Sequence, residues 1–377
     1  MAFTHPPFRA LFDGVYANRR VLVTGHTGFK GSWLTLWLEA MGAQVSAFAL
    51  SAATQPNHAG LLRQSLTSST VDLRDRRGVH DVIARMQPDI VFHLGAQAIV
   101  KRSYADPHET FDVNVMGLVH LLDAIRASAS VRAVVVATSD KCYRNAGTGR
   151  PFSENDSLGG HDPYSASKAC AELVTASYRA SFLGATIAMA TARAGNVIGG
   201  GDWAENRLVP DLARAAAAGT PVPIRSPHAV RPWQHVLEPL AGYLLLGQRL
   251  LAAGKTASAA SRAWNFGPPS DGHLRVGDVA DAFALHWPAL RTVQDRARHP
   301  HEAPMLRLDC AAAHAQLGWR PVWNSDTMLK RTAGWYRAFH EHGELRTFAD
   351  LSAYIDDARM LGLPWASGPR ASLAAAG

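Results

Sequence analysis

Cysteines, long apolar runs and clustered charges are scarce in this sequence of 377 residues. Cys142, Cys170 and Cys310 show neither CxxC nor Cys/His spacing, which favours a reduced, cytoplasmic setting over a disulfide scaffold, and we expect no metal site. Apolar runs such as AVVVA at 133–137 fall far short of the roughly 20 residues that cross a bilayer. The opening stretch MAFTHPPFRALFDG lacks the charged-then-apolar pattern of a signal peptide. We therefore expect a soluble, cytoplasmic protein without a membrane segment.

Basic charge is in excess but is spread along the chain. The formal net charge is +7 and the pI is about 9.5. Lys and Arg form no run of five or six residues, the pattern that is typical of nucleic-acid-binding segments. An ordinary basic surface explains the excess, and we expect no nucleic-acid partner.

Apolar segments alternate with stretches of helical period over the first two-thirds of the chain. Strands are predicted at 20–25, 43–50, 89–95, 132–139 and 185–193. This alternation predicts an α/β fold with a doubly wound parallel sheet of the Rossmann type. The Gly/Pro-rich loops that follow indicate a smaller C-terminal region that binds substrate.

The predicted organisation has four parts. An N-terminal extension at 1–18 precedes a dinucleotide-binding domain at 19–194. A mainly substrate-binding region follows at 195–365, and segments of it can return to the sheet. The tail at 366–377, ASGPRASLAAAG, has the biased composition of a flexible segment.

A glycine-rich turn with the spacing GxxGxxG follows the first predicted strand and opens a helix that is predicted to end at Gly42. Residues without a Cβ let the backbone approach a pyrophosphate, whose charge is bound by N–H groups at the helix N-terminus. Tight strand-to-helix packing is the alternative explanation, but the strand and helix around the turn favour dinucleotide binding. The residues assigned to the cofactor here are Gly25, Thr27, Gly28, Phe29, Lys30 and Gly31.

The residue after the second predicted strand bears on the choice of cofactor, and a Tyr/Lys pair bears on acid–base chemistry. Ser51 follows the second strand, where an acid binds the ribose of NAD or an Arg binds the 2′-phosphate of NADP. The lack of a nearby Arg favours NAD.

Tyr164 and Lys168 are four residues apart on a predicted helix, hence on one face. An adjacent ammonium favours the phenolate, which makes Tyr164 a plausible base. Ser139 or Thr138 can share a substrate hydroxyl with Tyr164.

Together these motifs resemble the extended short-chain dehydrogenases/reductases that modify nucleotide sugars, and most closely the CDP-glucose 4,6-dehydratases. The resemblance spans roughly residues 18–365 and is carried by VTGHTGFKGSWL, TSDKCYRN, GGHDPYSASKACAEL, ARAGNVIGGGDWAENRLVPD and HAVRPWQHVLEPLAGYL. It implies NAD as cofactor, CDP-glucose as substrate, and conversion to CDP-4-dehydro-6-deoxy-glucose plus water in deoxysugar and O-antigen precursor biosynthesis. It also implies a homodimer or homotetramer, paired through the helices that carry Asn114 and Tyr164.

The resemblance explains the polar residues after the fourth strand. A 4,6-dehydratase takes hydride from C4 and a proton from C5, expels the C6 hydroxyl and returns hydride to C6, so it needs an acid and a base beyond Tyr164 and Lys168. Asp140 is expected to protonate the leaving hydroxyl. Lys141 stands where related dehydratases usually have Glu, and it either is the C5 base or assists through water.

The remaining site residues are also assigned by resemblance. Asp72 and Leu73 flank the adenine, Leu94 and Ala96 pass beside the nicotinamide ribose, and Tyr164 and Lys168 also contact the cofactor. Asn114, which in this superfamily supports the active-site lysine, is grouped with the substrate side. Arg231 is assigned to the pyrophosphate because its planar guanidinium can bind phosphate oxygens bidentately. The other substrate-side residues are Arg193, Asn196, Arg207, Leu208 and Trp233.

Three alternatives are open at this stage. Another nucleotide-sugar 4,6-dehydratase would differ only in the nucleobase of the nucleotide sugar that it accepts. A 4-epimerase shares Tyr164, Lys168 and the glycine turn but does not need the pair Asp140–Lys141. A non-catalytic nucleotide sensor on the same fold would show no turnover, although the intact Ser139, Tyr164 and Lys168 argue against it.

Overall fold

Strands and helices alternate through the computed structural model, which describes residues 6–64, 66–147, 149–252, 259–295 and 305–368. The strands are β1 (Arg20–Thr24), β2 (Gln44–Ala49), β3 (Thr67–Thr70), β4 (Ile90–His93), β5 (Ala133–Ala137), β6 (Ala188–Ala194), β7 (Asn196–Ile198), β8 (Pro221–Ile224), β9 (Val230–His235), β10 (Ala263–Phe266), β11 (His273–Arg275) and β12 (Arg291–Gln294). The α-helices are α1 (Pro6–Arg9), α2 (Phe29–Ala40), α3 (His58–Leu62), α4 (Arg76–Met86), α5 (Val100–Ala105), α6 (Pro107–Phe111), α7 (Gly117–Arg126), α8 (Pro163–Tyr178), α9 (Leu208–Ala218), α10 (Leu237–Ala252), α11 (Val276–His286), α12 (Ser325–His342), α13 (Thr347–Met360) and α14 (Pro364–Ser367). Short 3₁₀ or π-helical turns lie at Leu11–Gly14, Asp112–Met116, Asp140–Cys142, Arg179–Leu183, Ser270–Gly272 and Ala313–Leu317.

A parallel sheet of seven strands forms the centre of the molecule, in the order β3-β2-β1-β4-β5-β6-β10. The chain moves outward from β1 to β3 and then places β4 on the other side of β1. Because the strands are parallel, their carboxyl ends lie at one edge, where Thr24 pairs in register with His93. Ligands of doubly wound sheets bind outside this reversal of strand order. The predicted α/β fold is confirmed.

Alternate residues of the central strands pack against opposite layers of helices. In β1, Val21 and Val23 belong to the core that includes α2 and α10, whereas Leu22 belongs to the core that includes α4, α7 and α8. A parallel sheet that is covered on both faces needs apolar side chains in both directions. This double burial explains why the predicted strands are nearly continuous apolar runs.

The five predicted strands are found as β1, β2, β4, β5 and β6. A sixth strand of the sheet, β3, ends at Thr70, two residues before Asp72. The edge strand β10 comes from the C-terminal region and pairs with β6, with Ala263 opposite Thr191. The sequence predicted only that segments of this region can return to the sheet, and not which ones.

The C-terminal region has a core of its own, built from α9, α11, α12, β8 and β9. It carries the small sheets β11-β9-β7 and β12-β8. At the other end of the chain, the ring of Phe12 stacks on Trp365, with centroids 5.0 Å apart. The predicted flexible tail lies outside the described residues from 369 onward, and residues 366–367 end α14. None of the helices described here has the length and apolarity that a membrane crossing requires.

Candidate active site

The glycine turn is packed so closely that two of its positions, Gly25 and Gly31, have no room for a side chain. Gly25 has a φ of +76°, and a Cβ there would lie 2.7 Å from the backbone nitrogen of Gly95. A Cβ on Gly31 would lie 2.2 Å from the carbonyl oxygen of Gly25. Helix α2 begins directly after Gly28, and no side chain caps its first turn. Its N-terminus therefore presents backbone N–H groups and the positive end of the helix dipole to a ligand.

A cavity of about 700 Å³ runs from the glycine turn along the carboxyl ends of the strands to α9 and β9. This volume is in the range of small-molecule sites. All the predicted site residues except Asn114 and Arg193 line it: Gly25, Thr27, Gly28, Phe29, Lys30, Gly31, Asp72, Leu73, Leu94, Ala96, Ser139, Asp140, Lys141, Tyr164, Lys168, Asn196, Arg207, Leu208, Arg231 and Trp233.

Helix α8 presents Tyr164 and Lys168 to this cavity. Asp162 caps the helix by accepting a hydrogen bond from the backbone N–H of Ser165 at 2.9 Å. Lys168 Nζ donates to the carbonyl oxygen of Ala137 at 3.5 Å, so the lysine joins α8 to the end of β5. The predicted helix and the shared face of the two side chains are confirmed by this geometry.

The pKa of Tyr164 is shifted in the direction opposite to the expected one, and the pKa of Lys168 is also shifted. Burial raises the pKa of Tyr164 to about 12, although a hydrogen bond with Ser139 and the charge of Arg207 act to lower it. Burial also lowers the pKa of Lys168 to about 8, against the charge of Glu172. The expectation that the ammonium would make Tyr164 more acidic is wrong here, because desolvation of the phenolate outweighs the favourable neighbours.

Asp140 lies at the start of a 3₁₀ turn that directly follows β5. Ser139 Oγ accepts the backbone N–H of Lys141 at 3.2 Å and donates to Asp140 Oδ1 at 3.1 Å. Asp140 is 2% exposed, and its Oδ2 is buried without a hydrogen-bond partner in the structure. Burial raises the pKa of Asp140 although Lys141, Ser139, Arg231 and Lys30 act to lower it. A carboxyl with a raised pKa and an oxygen that accepts no hydrogen bond from the protein suits a general acid.

Cationic side chains surround the end of the cavity next to the C-terminal region. Arg207 begins α9 and is paired with Asp202 at 3.0 Å. Arg231 is buried in β9 and donates to the carbonyl oxygen of Val230 at 3.0 Å. Lys30 Nζ lies 3.4 Å from Tyr243 Oη, and burial lowers the pKa of Lys30 to about 7. These charges suit a ligand that carries phosphates.

The cofactor end of the cavity includes the ends of β2 and β3. Thr27 Oγ1 donates to the carbonyl oxygen of Leu50 at 3.0 Å and so joins the glycine turn to β2. Ser51 lines the cavity at the position that distinguishes NAD from NADP. Asp72 is paired with Arg74 at 2.6 Å, which holds the pKa of Asp72 below its usual range.

Asn114 and Arg193 do not line the cavity, so we correct their assignment to the substrate. Asn114 Oδ1 accepts the backbone N–H of Gln97 at 2.8 Å, and its Nδ2 donates to Gln97 O at 3.0 Å and to Ser167 Oγ at 2.9 Å. These bonds join the segment after β4 to α8. Arg193, on β6, forms a buried ion pair with Glu172, on α8, at 2.8 Å. Both side chains therefore bind other parts of the protein next to the cavity and are not placed to contact a substrate in it.

Three residues near the site were not predicted. Asp202 holds Arg207, Tyr243 lies beside Lys30, and Glu172 holds Arg193. Glu172 was the easiest to find, because it lies four residues after Lys168 on the same helix. No group of three or more His, Cys, Asp or Glu side chains that could hold a metal ion occurs in the ranges described above.

A turn that admits only glycine, an α8 pair of Tyr and Lys, and an acidic residue with a lysine after β5 define an extended short-chain dehydrogenase/reductase that acts by acid–base chemistry. The family model of GDP-mannose 4,6 dehydratase matches residues 22–332, and the chain belongs to this family. The chain is 45% identical over 333 residues to CDP-glucose 4,6-dehydratase of Salmonella typhimurium, covering 86% of this chain and 92% of that protein.

Solved structures of nucleotide-sugar enzymes have the same fold. One is a dTDP-glucose 4,6-dehydratase double mutant from Streptomyces venezuelae with NAD and DAU bound, at a TM-score of 0.71, 25% identity and coverage of 84% of this chain and 96% of that chain. Another is the Thermus thermophilus UDP-glucose 4-epimerase complex with NAD, at a TM-score of 0.73, 27% identity and coverage of 84% and 98%.

Proposed function

We propose that the protein is an NAD-dependent CDP-glucose 4,6-dehydratase, a hydro-lyase that forms CDP-4-dehydro-6-deoxy-glucose and water. The observation that carries the proposal is the buried Asp140 beside Lys141 in the same cavity as Tyr164 and Lys168. A redox step alone would not need this second acid–base pair. The 45% identity to a CDP-glucose 4,6-dehydratase supports both the reaction and the base.

The residues of the glycine turn would hold NAD. The close approach of Gly31 to Gly25 leaves no room for a Cβ, and the N-terminus of α2, which no side chain caps, supplies N–H donors for a pyrophosphate. Solved relatives with 25% and 27% identity contain NAD. NAD held there would supply the hydride acceptor for oxidation at C4 and the hydride donor for reduction at C6.

Tyr164, Ser139 and Lys168 would prepare C4 for oxidation. Ser139 and Tyr164 are close enough to share a hydrogen bond, so both can hold the C4 hydroxyl. With a pKa of about 12, Tyr164 does not rest as a phenolate at neutral pH. The phenol therefore has to release its own proton to solvent first, and the ammonium of Lys168 stabilises the phenolate that results. The phenolate then takes the proton of the C4 hydroxyl as hydride leaves C4.

Asp140 and Lys141 would carry out the elimination. The C4 ketone makes the C5 proton acidic, and Lys141 removes that proton directly or through water. Asp140, whose pKa is raised by burial, donates its proton to the C6 hydroxyl, which leaves as water. The proton on Asp140 therefore has to be replaced before the next turnover.

The nucleotide would occupy the end of the cavity near α9. Arg231 is proposed to bind the pyrophosphate, Arg207 and Leu208 to approach the base and ribose, and Asn196 and Trp233 to complete this end. We also propose that the enzyme works in the cytoplasm as a homodimer or homotetramer in deoxysugar and O-antigen precursor biosynthesis, and that the cofactor- and substrate-binding regions divide near residue 194.

Mass spectrometry tests the proposal directly. The purified protein is incubated with NAD and, separately, with CDP-, dTDP-, GDP- and UDP-glucose. We expect loss of the mass of one water from CDP-glucose and much less from the other three. Dehydration of one of the other three nucleotide sugars instead would support the 4,6-dehydratase reaction but assign a different nucleobase to the substrate. Products of unchanged mass, with a galactose configuration at C4, would show a 4-epimerase.

A further inference from the structure

A buried ion pair lies behind the segment that carries the elimination residues. We call residues 138–143, from Thr138 to Tyr143, the acid–base segment. Arg193 Nη2 lies 2.8 Å from Glu172 Oε2, and the two side chains are 4% and 3% exposed. Glu172 is on α8, one turn after Lys168, and Arg193 is on β6. Neither lines the cavity, so the pair can act on the reaction only through other residues.

Each member of the pair holds one end of the acid–base segment. Thr138 Oγ1 donates a hydrogen bond to Glu172 Oε1 at 2.5 Å. Arg193 Nη1 donates to Tyr143 Oη at 2.8 Å, and the guanidinium lies 4.9 Å from the centre of the Tyr143 ring. Tyr143 Oη in turn donates to Asn265 Oδ1 at 2.6 Å. A continuous buried path of hydrogen bonds therefore connects both ends of the segment.

Asp140 and Lys141 lie between these two ends, in a single 3₁₀ turn. The directions of their side chains follow the backbone of that turn, and the path through Glu172 and Arg193 fixes its two ends. These hydrogen bonds restrain both ends of the turn, although Arg193 Nε is buried without a partner in the structure. A buried network of this kind is disrupted when one member is removed. Misplacement of a reacting group by about 1 Å can cost about 100-fold in rate.

We propose that Glu172 and Arg193 form a positioning pair that aligns Asp140 and Lys141 with the substrate for elimination. The inference rests on the proposed dehydratase function and adds to it two residues outside the cavity. It predicts that loosening either link slows the loss of water more than C4 oxidation. Asp140 and Lys141 both lie in the segment, whereas C4 oxidation depends mainly on Tyr164 and Lys168 of α8 and uses only Ser139 from the segment.

Two substitutions loosen the links and leave the buried charges paired. Thr138→Val removes the hydrogen bond to Glu172, and Tyr143→Phe removes the one from Arg193. Thr191→Val is the matched control, because Thr191 Oγ1 also donates to Glu172 Oε2, at 2.7 Å, but lies on β6 and not on the segment. Thermal unfolding of all three variants establishes that each is folded before kinetics are measured.

A single turnover of the NAD-loaded enzyme with CDP-glucose separates the two steps. The absorbance of reduced nicotinamide rises with C4 oxidation and falls as the reaction is completed. For Tyr143→Phe, whose side chain does not line the cavity, we expect the fall to be slowed about 10-fold or more and the rise to be slowed much less. For Thr138→Val, which is next to Ser139, we expect both phases to be slowed and the fall to be slowed more than the rise. For Thr191→Val we expect both phases at wild-type rates. Any other pattern, including an equal loss in both phases or an unchanged fall, overturns the positioning role.

The ion pair itself is tested by the charge-balanced double variant Glu172→Gln/Arg193→Met, which leaves no unpaired charge in the interior. If it folds, its fall in absorbance should be slowed like that of the link variants, and a wild-type fall contradicts the inference. If it does not fold, the single-turnover kinetics of Thr138→Val and Tyr143→Phe alone test the positioning role. Failure of the wild-type protein to dehydrate CDP-glucose would instead refute the proposed function.

Discussion

Replacing Asp140 with Asn removes a transferable proton and changes little else in the cavity. Asp140 Oδ1 accepts one hydrogen bond, from Ser139 at 3.1 Å, and its buried Oδ2 has no partner in the structure. An amide has the same size and keeps the oxygen that Ser139 needs. It cannot release a proton near neutral pH, and loss of a general acid costs about 10²- to 10⁴-fold in the catalysed step. This loss corresponds to about 3 to 5 kcal/mol of activation free energy.

The role of Asp140 as an acid also predicts the direction in which wild-type activity and stability change with pH. Burial raises the pKa of Asp140, so the acid form persists above the usual range of a carboxyl, and wild-type activity should fall as the pH rises through that raised pKa. A raised folded pKa also means that the contribution of Asp140 to stability is full at low pH and is lost as the pH rises. Asp140→Asn should therefore unfold at the wild-type temperature or above it at neutral pH, while its kcat is far lower.

Asp350→Asn is a matched control for this substitution. Asp350 is also 2% exposed, its Oδ2 is also buried without a partner in the structure, and burial raises its pKa to about 7. It does not line the cavity, and kcat should be unchanged. Steady-state kcat across the pH range and thermal unfolding are measured for all three proteins. Near wild-type turnover of Asp140→Asn, or an equal loss in Asp350→Asn, would refute the assignment of the acid.

Three further changes test other parts of the site. Lys141→Met should lower kcat for dehydration by about 10² or more and leave NAD affinity, measured by calorimetry, nearly unchanged; near-normal turnover would move the base elsewhere. Gly31→Ala should abolish measurable NAD binding because the new Cβ would lie 2.2 Å from Gly25 O. Gly334→Ala should bind NAD normally, because the nearest atom to its new Cβ outside the backbone of its own helix is Arg346 Nη1 at 3.9 Å. Equal NAD affinity in both variants would contradict the fit of the turn. NAD should give a higher kcat/KM than NADP, since Ser51 offers no cation to a 2′-phosphate, and equal values would remove this preference.

The sheet and most of the cavity could be predicted from the sequence because their signals are local. Apolar runs bounded by turn residues give the buried strands, and the glycines of the first turn are required by contacts within one strand-turn-helix unit. Tyr164 and Lys168 share a helix face by spacing alone. Asp140 and Lys141 follow a recognisable strand, so parallel strand ends placed them at the correct edge of the sheet.

Arg193 shows why the remainder could not be predicted. All seven residues of β6 are buried, so the alternation that normally tells which side chain faces a ligand is absent. The direction of Arg193 depends on Glu172, which comes from a different element and is visible as a partner only in three dimensions. The raised pKa of Tyr164 has a similar origin, because it depends on how completely the folded chain excludes water.

Tracing hydrogen from C4 of the sugar tests the central claim most directly. CDP-glucose that carries deuterium at C4 is converted by the protein and NAD in ordinary water, and in a parallel reaction unlabelled CDP-glucose is converted in deuterium oxide; both products are analysed by mass spectrometry and NMR. We predict that the C4 deuterium appears on the C6 methyl group, that solvent deuterium enters at C5, and that no net reduced cofactor accumulates. Label that returns to C4 with the C6 oxygen in place, or release of stoichiometric reduced cofactor, would contradict the dehydratase assignment.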